Sequence, residues 1–313
     1  MTIALRKELQ ESLGLSEAQL NRLILRAPHT YKVYTIPKRT GGVRVIAQPA
    51  QETKFIQNWL IKRVFGELPV HSCATAYQAG SSIKKNAAAH KDHQYLAKFD
   101  FKDFFTSIKA DDLVAHMSRH LAGLLSRSEI LDAARISSIQ QRQSESLCLS
   151  IGAPSSPLLS NSVMFEFDSL VSNWCVDRGI IYTRYADDMT FSTNRKGRSG
   201  EIEEFIRNIA RGLDYPRLRF NSKKTVFLSK KHQRRITGII LNNDGELSLG
   251  RDRKREIKAL VHKFTCDELP GEEVYRLQGL LGFALDVEPT FLQALNVKYS
   301  DQVIETILSI RKE

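Results

Sequence analysis

The sequence predicts an α+β fold in which helices cover one side of an antiparallel sheet. Residues 31–48 alternate in the manner of strands on both sides of a turn, and residues 180–193 form two apolar strands around another turn, as in a hairpin. Elsewhere apolar residues recur at helical spacing. The 313 residues contain no internal repeat and no long linker, and they are enough for one to three domains.

Local signals set the order of the elements. Ser16 and Gln19 have the spacing of a capping box, which predicts a short helix that Pro28 ends. The polar, Ser- and Gln-rich segment 125–146 is predicted to be a mobile surface segment. The other predicted elements, in chain order, are strands flanking the basic turn 38–42, a helix over 51–65, a strand over 95–101, a helix over 110–124, a long helix from Pro157 to about Asp177, a helix over 200–212, strands over 224–229 and 235–242, and a mostly helical tail from 251 to 313.

The positive charge of the chain is concentrated in one region. Lys and Arg number 46 against 35 Asp and Glu, a net charge of +11. Residues 221–263 alone hold twelve Lys or Arg and four Asp or Glu. A basic block of this kind is typical of proteins that bind a polyanion. A solvated basic face without a partner is the alternative.

Composition argues against several classes of protein. No apolar run approaches the roughly 20 residues of a membrane helix, and the N-terminus does not resemble a signal peptide. The four cysteines are far apart and form no Cys-x-x-Cys pair, so neither a zinc site nor a disulfide framework is expected. We therefore expect a cytoplasmic protein with no membrane partner.

Two adjacent carboxylates, Asp187 and Asp188, lie in a turn between two apolar strands. Such flanking strands would hold both acids at the edge of a buried sheet. Hard cations such as Mg²⁺ prefer carboxylate oxygens, and paired metal ions stabilise phosphoryl transfer. An ordinary solvated hairpin turn is the alternative for this pair alone.

Two further segments suggest a site. Asp100 ends an apolar strand among aromatic residues, and an isolated buried carboxylate is costly unless it is paired or binds metal. Asp103 could act similarly or could cap the following turn. The small residues that begin at Gly152 would let the backbone approach a ligand closely, although a plain loop before a helix would look the same.

In their order and spacing, these segments resemble the reverse transcriptase family. The blocks are Phe-Asp-x-x-Asp-Phe-Phe at 99–105, Gly-Ala-Pro-Ser-Ser-Pro at 152–157, Tyr-Ala-Asp-Asp at 185–188, Asn-Ser-Lys-Lys-Thr at 221–225 and Arg-Ile-Thr-Gly at 235–238. The resemblance covers roughly residues 30–265. It implies a right-hand polymerase fold with fingers, an antiparallel-sheet palm and a small helical thumb. The regions would be 1–95 for the N-terminal helix and fingers, 96–242 for the palm with part of the fingers at 110–160, and 243–313 for a thumb-like RNA-binding region.

Two details resemble the bacterial retron enzymes in particular. Residues 86–90, Asn-Ala-Ala-Ala-His, match an Asn-Ala-x-x-His signature, and Ile236-Thr237-Gly238 is similar to a Val-Thr-Gly element. Ile151 departs from the family, many members of which have Gln before the glycine of the Gly-Ala-Pro block. Glutamine can hydrogen-bond a nucleotide and isoleucine can only pack, so a nucleotide role at this position is not expected.

The resemblance also implies roles for individual residues. Two Mg²⁺ ions, which Mn²⁺ could replace, would be held by Asp100, Asp187 and Asp188. An aromatic ring at Phe105 would exclude a 2′-OH and favour deoxynucleotides. The remaining implied sets are Arg44, Gly152 and Lys223 (or its neighbour Lys224) for the nucleotide, Thr237 and Gly238 for the primer grip, and Asn86, His90, Arg251, Arg253, Lys254, Arg255 and Lys258 for RNA.

The function that the resemblance implies is RNA-directed DNA synthesis by a retron. The enzyme would copy its cognate structured noncoding RNA from a guanosine 2′-OH, and the branched product is msDNA. An antiphage role with an effector protein is implied as well. The alternatives are another small bacterial reverse transcriptase, of the diversity-generating or group II intron-like kind, and an RNA–DNA-binding scaffold that restrains a toxic effector.

Overall fold

The computed structural model describes residues 3–38, 41–141 and 146–311. Its strands are β1 (Tyr31–Pro37), β2 (Val43–Pro49), β3 (Tyr95–Lys102), β4 (Ile139–Gln140), β5 (Leu147–Cys148), β6 (Ile181–Tyr185), β7 (Asp188–Thr193), β8 (Arg219–Phe220), β9 (Val226–Ser229), β10 (Arg234–Ile236), β11 (Ile239–Leu241) and β12 (Leu247–Ser248). Its helices are α1 (Leu5–Leu13), α2 (Glu17–Arg26), α3 (Gln51–Arg63), α4 (Ile83–Ala88), α5 (Phe104–Ser107), α6 (Ala110–His120), α7 (Arg127–Ile136), α8 (Ser156–Val163), α9 (Phe165–Val176), α10 (Ser199–Gly212), α11 (Arg251–Thr265), α12 (Gly271–Val287), α13 (Pro289–Tyr299) and α14 (Asp301–Ser309).

The largest sheet has five strands. Its order is β6-β7-β3-β8, and β9 also pairs with β3. β3 and β8 are antiparallel, with Phe101 opposite Phe220 and Lys102 opposite Arg219. β3 therefore lies beside β7, so the strand that carries Asp100 is next to the strand that begins at Asp188.

The chain divides into two compact units, and each is described by itself. The first consists of Met1–Ala79, Lys98–Thr190 and Gly197–Val226. Its aromatic core is centred on Phe101, whose ring lies 5.0 Å from that of Phe220 and 5.7 Å from that of Phe167. The antiparallel ribbon of β1 and β2 also belongs to this unit.

The second unit consists of Gly80–Ala97, Phe191–Lys196 and Phe227–Glu313. It contains the small antiparallel sheet β10-β11-β12 together with α4 and helices α11 to α14. Buried aliphatic residues from all of these elements form its core, among them Leu241, Ile257, Leu277 and Leu295. The predicted helical tail from residue 251 is confirmed.

The α+β fold class is confirmed, and so is the first helix boundary. Ser16 and Gln19 make both hydrogen bonds of a capping box before α2. The predicted strands on both sides of the basic turn are β1 and β2, although Arg39 and Thr40 of that turn lie outside the described residues. None of the helices in the described ranges is both long and apolar enough to cross a membrane.

Three predictions about secondary structure were wrong. The polar segment 125–146, of which residues 142–145 lie outside the described residues, contains helix α7. Ser126 and Glu129 cap this helix, and its Ile130 and Ile136 are buried. The long helix after Pro157 is broken at Met164 into α8 and α9. The strand expected over 235–242 is a hairpin, since Thr237 and Gly238 both have positive φ and reverse the chain.

Candidate active site

The turn between β6 and β7 presents the paired acids, Asp187 and Asp188. Ala186, the first turn residue, has a φ of 56°, a left-handed conformation that costs a non-glycine residue about 1 kcal/mol or more. The N–H of Phe101 donates a hydrogen bond to the carbonyl oxygen of Asp187 at 3.2 Å. This bond ties the turn to β3 one residue after Asp100, as the sequence predicted for a site at the edge of the sheet.

Asp100 is a buried carboxylate with two protein partners. Its side chain is 3% exposed. Asn221 Nδ2 donates to its Oδ1 at 3.1 Å, and Lys224 Nζ donates to its Oδ2 at 2.6 Å. The backbone N–H of Asn221 donates to the Asp100 carbonyl at 2.8 Å. These contacts provide the pairing that a buried charge requires.

The lysine that contacts Asp100 is Lys224, whereas the resemblance implied Lys223, or its neighbour Lys224, for the nucleotide. Residues 222–224 form one 3₁₀ turn, which aims the second lysine at Asp100. Both side chains are largely exposed. Contact of Lys223 with a nucleotide remains a prediction.

Crowding of negative charge perturbs the paired acids. Burial, together with the negative charges of Asp100 and Asp188, raises the pKa of Asp187 to about 6. Burial also raises the pKa of Asp188, an effect that the nearby Lys98 ammonium opposes. A bound cation would offset both the lost hydration of these carboxylates and their mutual repulsion.

The donor chemistry fits Mg²⁺, because carboxylate oxygens are the ligands that this ion prefers. In the side-chain arrangement of the described residues, however, no group of three or more His, Cys, Asp or Glu is already placed to hold a metal ion. The Lys224 ammonium contacts Asp100 Oδ2. If this oxygen held a metal ion, the ion would take the place of the contact with Lys224.

Gly152 has a structural role that the sequence did not show. Its φ is +115°, and a Cβ built there would lie 3.0 Å from Ile46 Cγ2 and 3.1 Å from the Ala47 carbonyl oxygen. The Ala47 N–H also donates to the carbonyl of Ile151 at 2.8 Å. The small residue thus lets this loop lie directly against β2. Whether Gly152 also approaches a nucleotide remains a prediction.

Arg44 and Tyr77 lie within electrostatic reach of each other. Arg44 is exposed on β2. Burial is the main cause that raises the pKa of Tyr77; the charges of Tyr185 and Asp187 raise it too, and Arg44 lowers it. Tyr77 is half-exposed and has a positive φ of 62°. Sequence reasoning missed Tyr77, because a left-handed tyrosine has no signature in the sequence.

Phe105 lies on the short helix α5, which follows β3. Its ring lies 5.4 Å from that of Phe104, which is buried and stacks on Phe101 at 5.9 Å. Phe105 itself is partly exposed. The contact with the Phe104 ring restricts the position of Phe105. A residue that excludes a 2′-OH needs such a fixed position. That role of Phe105 remains a prediction.

In the second unit, Asn86 and His90 are inside the protein. They are 1% and 0% exposed, and His90 Nδ1 is 2.7 Å from Ser192 Oγ. The sequence suggested that both contact RNA. Side chains this deeply buried cannot touch RNA in this conformation, so the geometry favours a structural role within the unit.

The Thr237-Gly238 turn joins β10 to β11, with φ values of 45° and 88°. Positive φ at both central residues is typical of a tight hairpin turn, although threonine is unusual there. Thr237 Oγ1 donates to the carbonyl of Ile83 at 3.2 Å, and Arg253 Nη1 donates to that of Gly238 at 3.4 Å. The primer-grip role of this turn remains a prediction.

The basic residues of α11 fall into two groups. Arg253 lies 4.9 Å from the centre of the Phe283 ring, and Lys254 forms an ion pair with Glu288 at 2.5 Å. Arg251, Arg255 and Lys258 are exposed, and the Lys258 ammonium also lies 5.8 Å from the centre of the Phe291 ring. Their spacing of four and three residues places these three on one face of the helix. We define them as the α11 basic face.

Comparisons with known proteins bear on this arrangement. The family model described as "Reverse transcriptase (RNA-dependent DNA polymerase)" matches residues 36–241. Retron Ec83 reverse transcriptase of Escherichia coli is 38% identical over 302 residues, which cover 96% of this chain and 97% of that protein. Retron Ec73 reverse transcriptase of the same species is 32% identical over 292 residues, with 90% of each chain covered.

Among solved structures, apo telomerase from Candida tropicalis aligns with a TM-score of 0.48 and 13% identity, over 87% of this chain and 58% of that one. The matched family region contains Asp100, Asp187 and Asp188. The α11 basic face lies beyond its end but within the span covered by the similarity to the retron enzymes.

Proposed function

This chain belongs to the retron reverse transcriptases and is thus an RNA-directed DNA polymerase, and from that premise we propose that it makes msDNA by two-metal nucleotidyl transfer from a guanosine 2′-OH of its cognate noncoding RNA. The observation that carries the proposal is the meeting of three acids at one edge of the sheet. Asp100 lies on the strand next to the one that begins at Asp188, and burial together with the charges of Asp100 and Asp188 raises the pKa of Asp187 to about 6.

Asp100, Asp187 and Asp188 would hold the metal ions. When bound, Mg²⁺ supplies positive charge to the attacking and leaving oxygens of the transfer. The burial of Asp100 excludes water from one side of its carboxylate, so solvent screens its negative charge less. Lys224 balances that charge before metal binding and could then face the leaving pyrophosphate.

Other residues would bind and select the substrates. Arg44, exposed on β2, would pair with the triphosphate of a deoxynucleotide. Phe105 would block a 2′-OH. The α11 basic face would contact phosphates of the structured RNA, which gives affinity but little sequence information.

An antiphage role and an effector protein as partner belong to the same proposal. They are supported by membership of the retron family alone. The test compares phage plating on two kinds of cells. One carries the complete locus, and the other carries an Asp187→Asn, Asp188→Asn version of it. Protection that survives the substitution would favour a scaffold that restrains the effector without DNA synthesis.

The direct test is to express the chain with its flanking noncoding DNA and to search for a small branched DNA. The product would be examined with and without debranching enzyme, beside an Asp187→Asn, Asp188→Asn control. We expect a branched product that the control lacks. A linear product would contradict the 2′-OH priming, and a branched product made by the control would contradict the assignment of the acids.

A further inference from the structure

In the first unit, a fully buried ion pair lies next to the turn that presents Asp187 and Asp188, which we call the catalytic turn. Arg184 and Asp168 are both 0% exposed, and Arg184 Nη2 is 2.5 Å from Asp168 Oδ2. Arg184 Nε also donates to Asp168 Oδ1 at 2.9 Å. Neither side chain of this ion pair reaches solvent.

Stability alone does not explain such a pair. Removing two charges from water costs about as much as their attraction returns, and apolar residues of the same volume are often equally stable or better. A second role for this pair is therefore worth seeking, and the remaining contacts of the guanidinium show where it lies.

The third nitrogen of the guanidinium, Nη1, contacts the catalytic turn. Arg184 Nη1 donates to the carbonyl oxygen of Ala186 at 3.0 Å and to Asn161 Oδ1 at 3.1 Å. The Ala186 carbonyl and the Asp187 N–H belong to the same planar peptide group. A donor that fixes this carbonyl therefore fixes the peptide plane from which Asp187 departs, in a turn whose left-handed residue is strained.

The guanidinium is itself held in one orientation. Asp168 accepts hydrogen bonds from two of its nitrogens, Nε and Nη2. Asn161 is held in turn, because its Nδ2 donates to the Ala76 carbonyl at 2.7 Å. The planar fork of an arginine can make all these bonds simultaneously, whereas a lysine ammonium cannot.

We propose that Arg184, held by Asp168 and Asn161, is a positioning residue that orients the peptide before Asp187 and so sets where Asp187 and Asp188 hold metal relative to Asp100. The proposal rests on the metal-binding function proposed for these acids. It assigns no contact with substrate to Arg184.

The test compares Arg184→Lys with wild type and with Tyr182→Phe, each as the full chain with its RNA. Lysine keeps a positive charge beside Asp168 but loses the donor to Ala186. Tyr182→Phe removes a hydrogen bond from the same buried network and leaves the donor to the turn intact. The measurements are kcat and KM for a deoxynucleotide, the melting temperature, and binding of Mn²⁺ alone by electron paramagnetic resonance in the absence of nucleotide.

For Arg184→Lys we expect kcat to fall by roughly 10²-fold, the scale of a misplaced catalytic geometry. KM should change little, and Mn²⁺ binding should weaken in parallel with kcat. Tyr182→Phe should lower the melting temperature while kcat and Mn²⁺ binding stay near wild type. A fold defect alone would lower the melting temperature in both variants without this separation.

The proposal is overturned if folded Arg184→Lys keeps the wild-type kcat and Mn²⁺ affinity, or if Tyr182→Phe loses as much of both. Should Arg184→Lys not fold, Asn161→Ala leaves the ion pair intact and removes one of the groups that orient Nη1. Unchanged kcat and Mn²⁺ binding in that variant would refute the proposal equally. A wild-type protein whose DNA synthesis did not need the three acids would instead refute the proposed function.

Discussion

Asp187→Asn is expected to stabilise the protein at neutral pH while it abolishes DNA synthesis. Burial and the neighbouring acids raise the folded-state pKa of Asp187 from 3.8 to about 6. The ionised form is therefore penalised in the folded state. At 1.36 kcal/mol for each pH unit, the penalty is about 3 kcal/mol when the carboxylate is charged. Asparagine has nearly the same shape and no charge, so it removes that penalty.

The pH dependence gives the sign of the effect. Because the folded pKa is the higher one, the penalty is fully present above pH 6 and vanishes as the pH falls through 3.8. The free energy of unfolding of Asp187→Asn should thus exceed that of wild type by up to about 3 kcal/mol at pH 8 and by almost nothing at pH 4. For a unit of this size, the gain at pH 8 corresponds to a rise in melting temperature of roughly 6–12 °C.

The assay is denaturant unfolding from pH 4 to pH 8 in the presence of a metal chelator, followed by a repeat with Mg²⁺. Asp111→Asn is the matched control, because Asp111 is an exposed aspartate of the same unit. Mg²⁺ should narrow the difference, since a ligand that binds only the folded wild type stabilises it by mass action. A variant no more stable than wild type at pH 8 without metal would refute the reasoning that the acids repel one another in the empty site.

Three further outcomes are expected. Gly152→Ala should lower the free energy of unfolding by about 1–3 kcal/mol. Gly197 also has a positive φ, but nothing lies within 4 Å of a Cβ built there, so Gly197→Ala should lower it measurably less. Equal losses in the two variants would show that the contact with β2 is unimportant. Phe105→Ala should reduce discrimination against ribonucleotides by roughly 10- to 100-fold in single-nucleotide incorporation, and an unchanged ratio would remove Phe105 from that role. Arg255→Ala should lower the slope of log affinity against log salt for RNA by about one, while the exposed Lys7→Ala should leave it unchanged.

Protein cations lie close to the acid cluster. Lys224 contacts Asp100, and the charge of Lys98 lowers the pKa of Asp188, so these lysines partly balance the negative charge. The pKa of Asp187 is nevertheless raised, first by burial and then by the charges of Asp100 and Asp188. A bound divalent cation would offset both effects.

Much of the local structure of this protein could be predicted from its sequence alone. The hairpin around the paired acids, the capping box of α2, the helical tail and the basic region all follow from patterns within a few residues of one another. Periodicity, turn chemistry and charge act locally, so they can be read without the fold. The order of the motifs likewise identified the family, which the comparisons confirm.

Tertiary structure alone decided how those patterns are used. Lys224 was selected over its neighbour by a single 3₁₀ turn that aims it at a residue 124 positions away. Asn86 and His90 became interior residues, and the polar stretch after residue 125 became a capped helix with a buried face. The contact of Arg184 with the catalytic turn depends equally on packing partners remote in sequence. Such contacts pair residues that no local pattern links, because burial and hydrogen-bond partners are fixed only when distant segments meet.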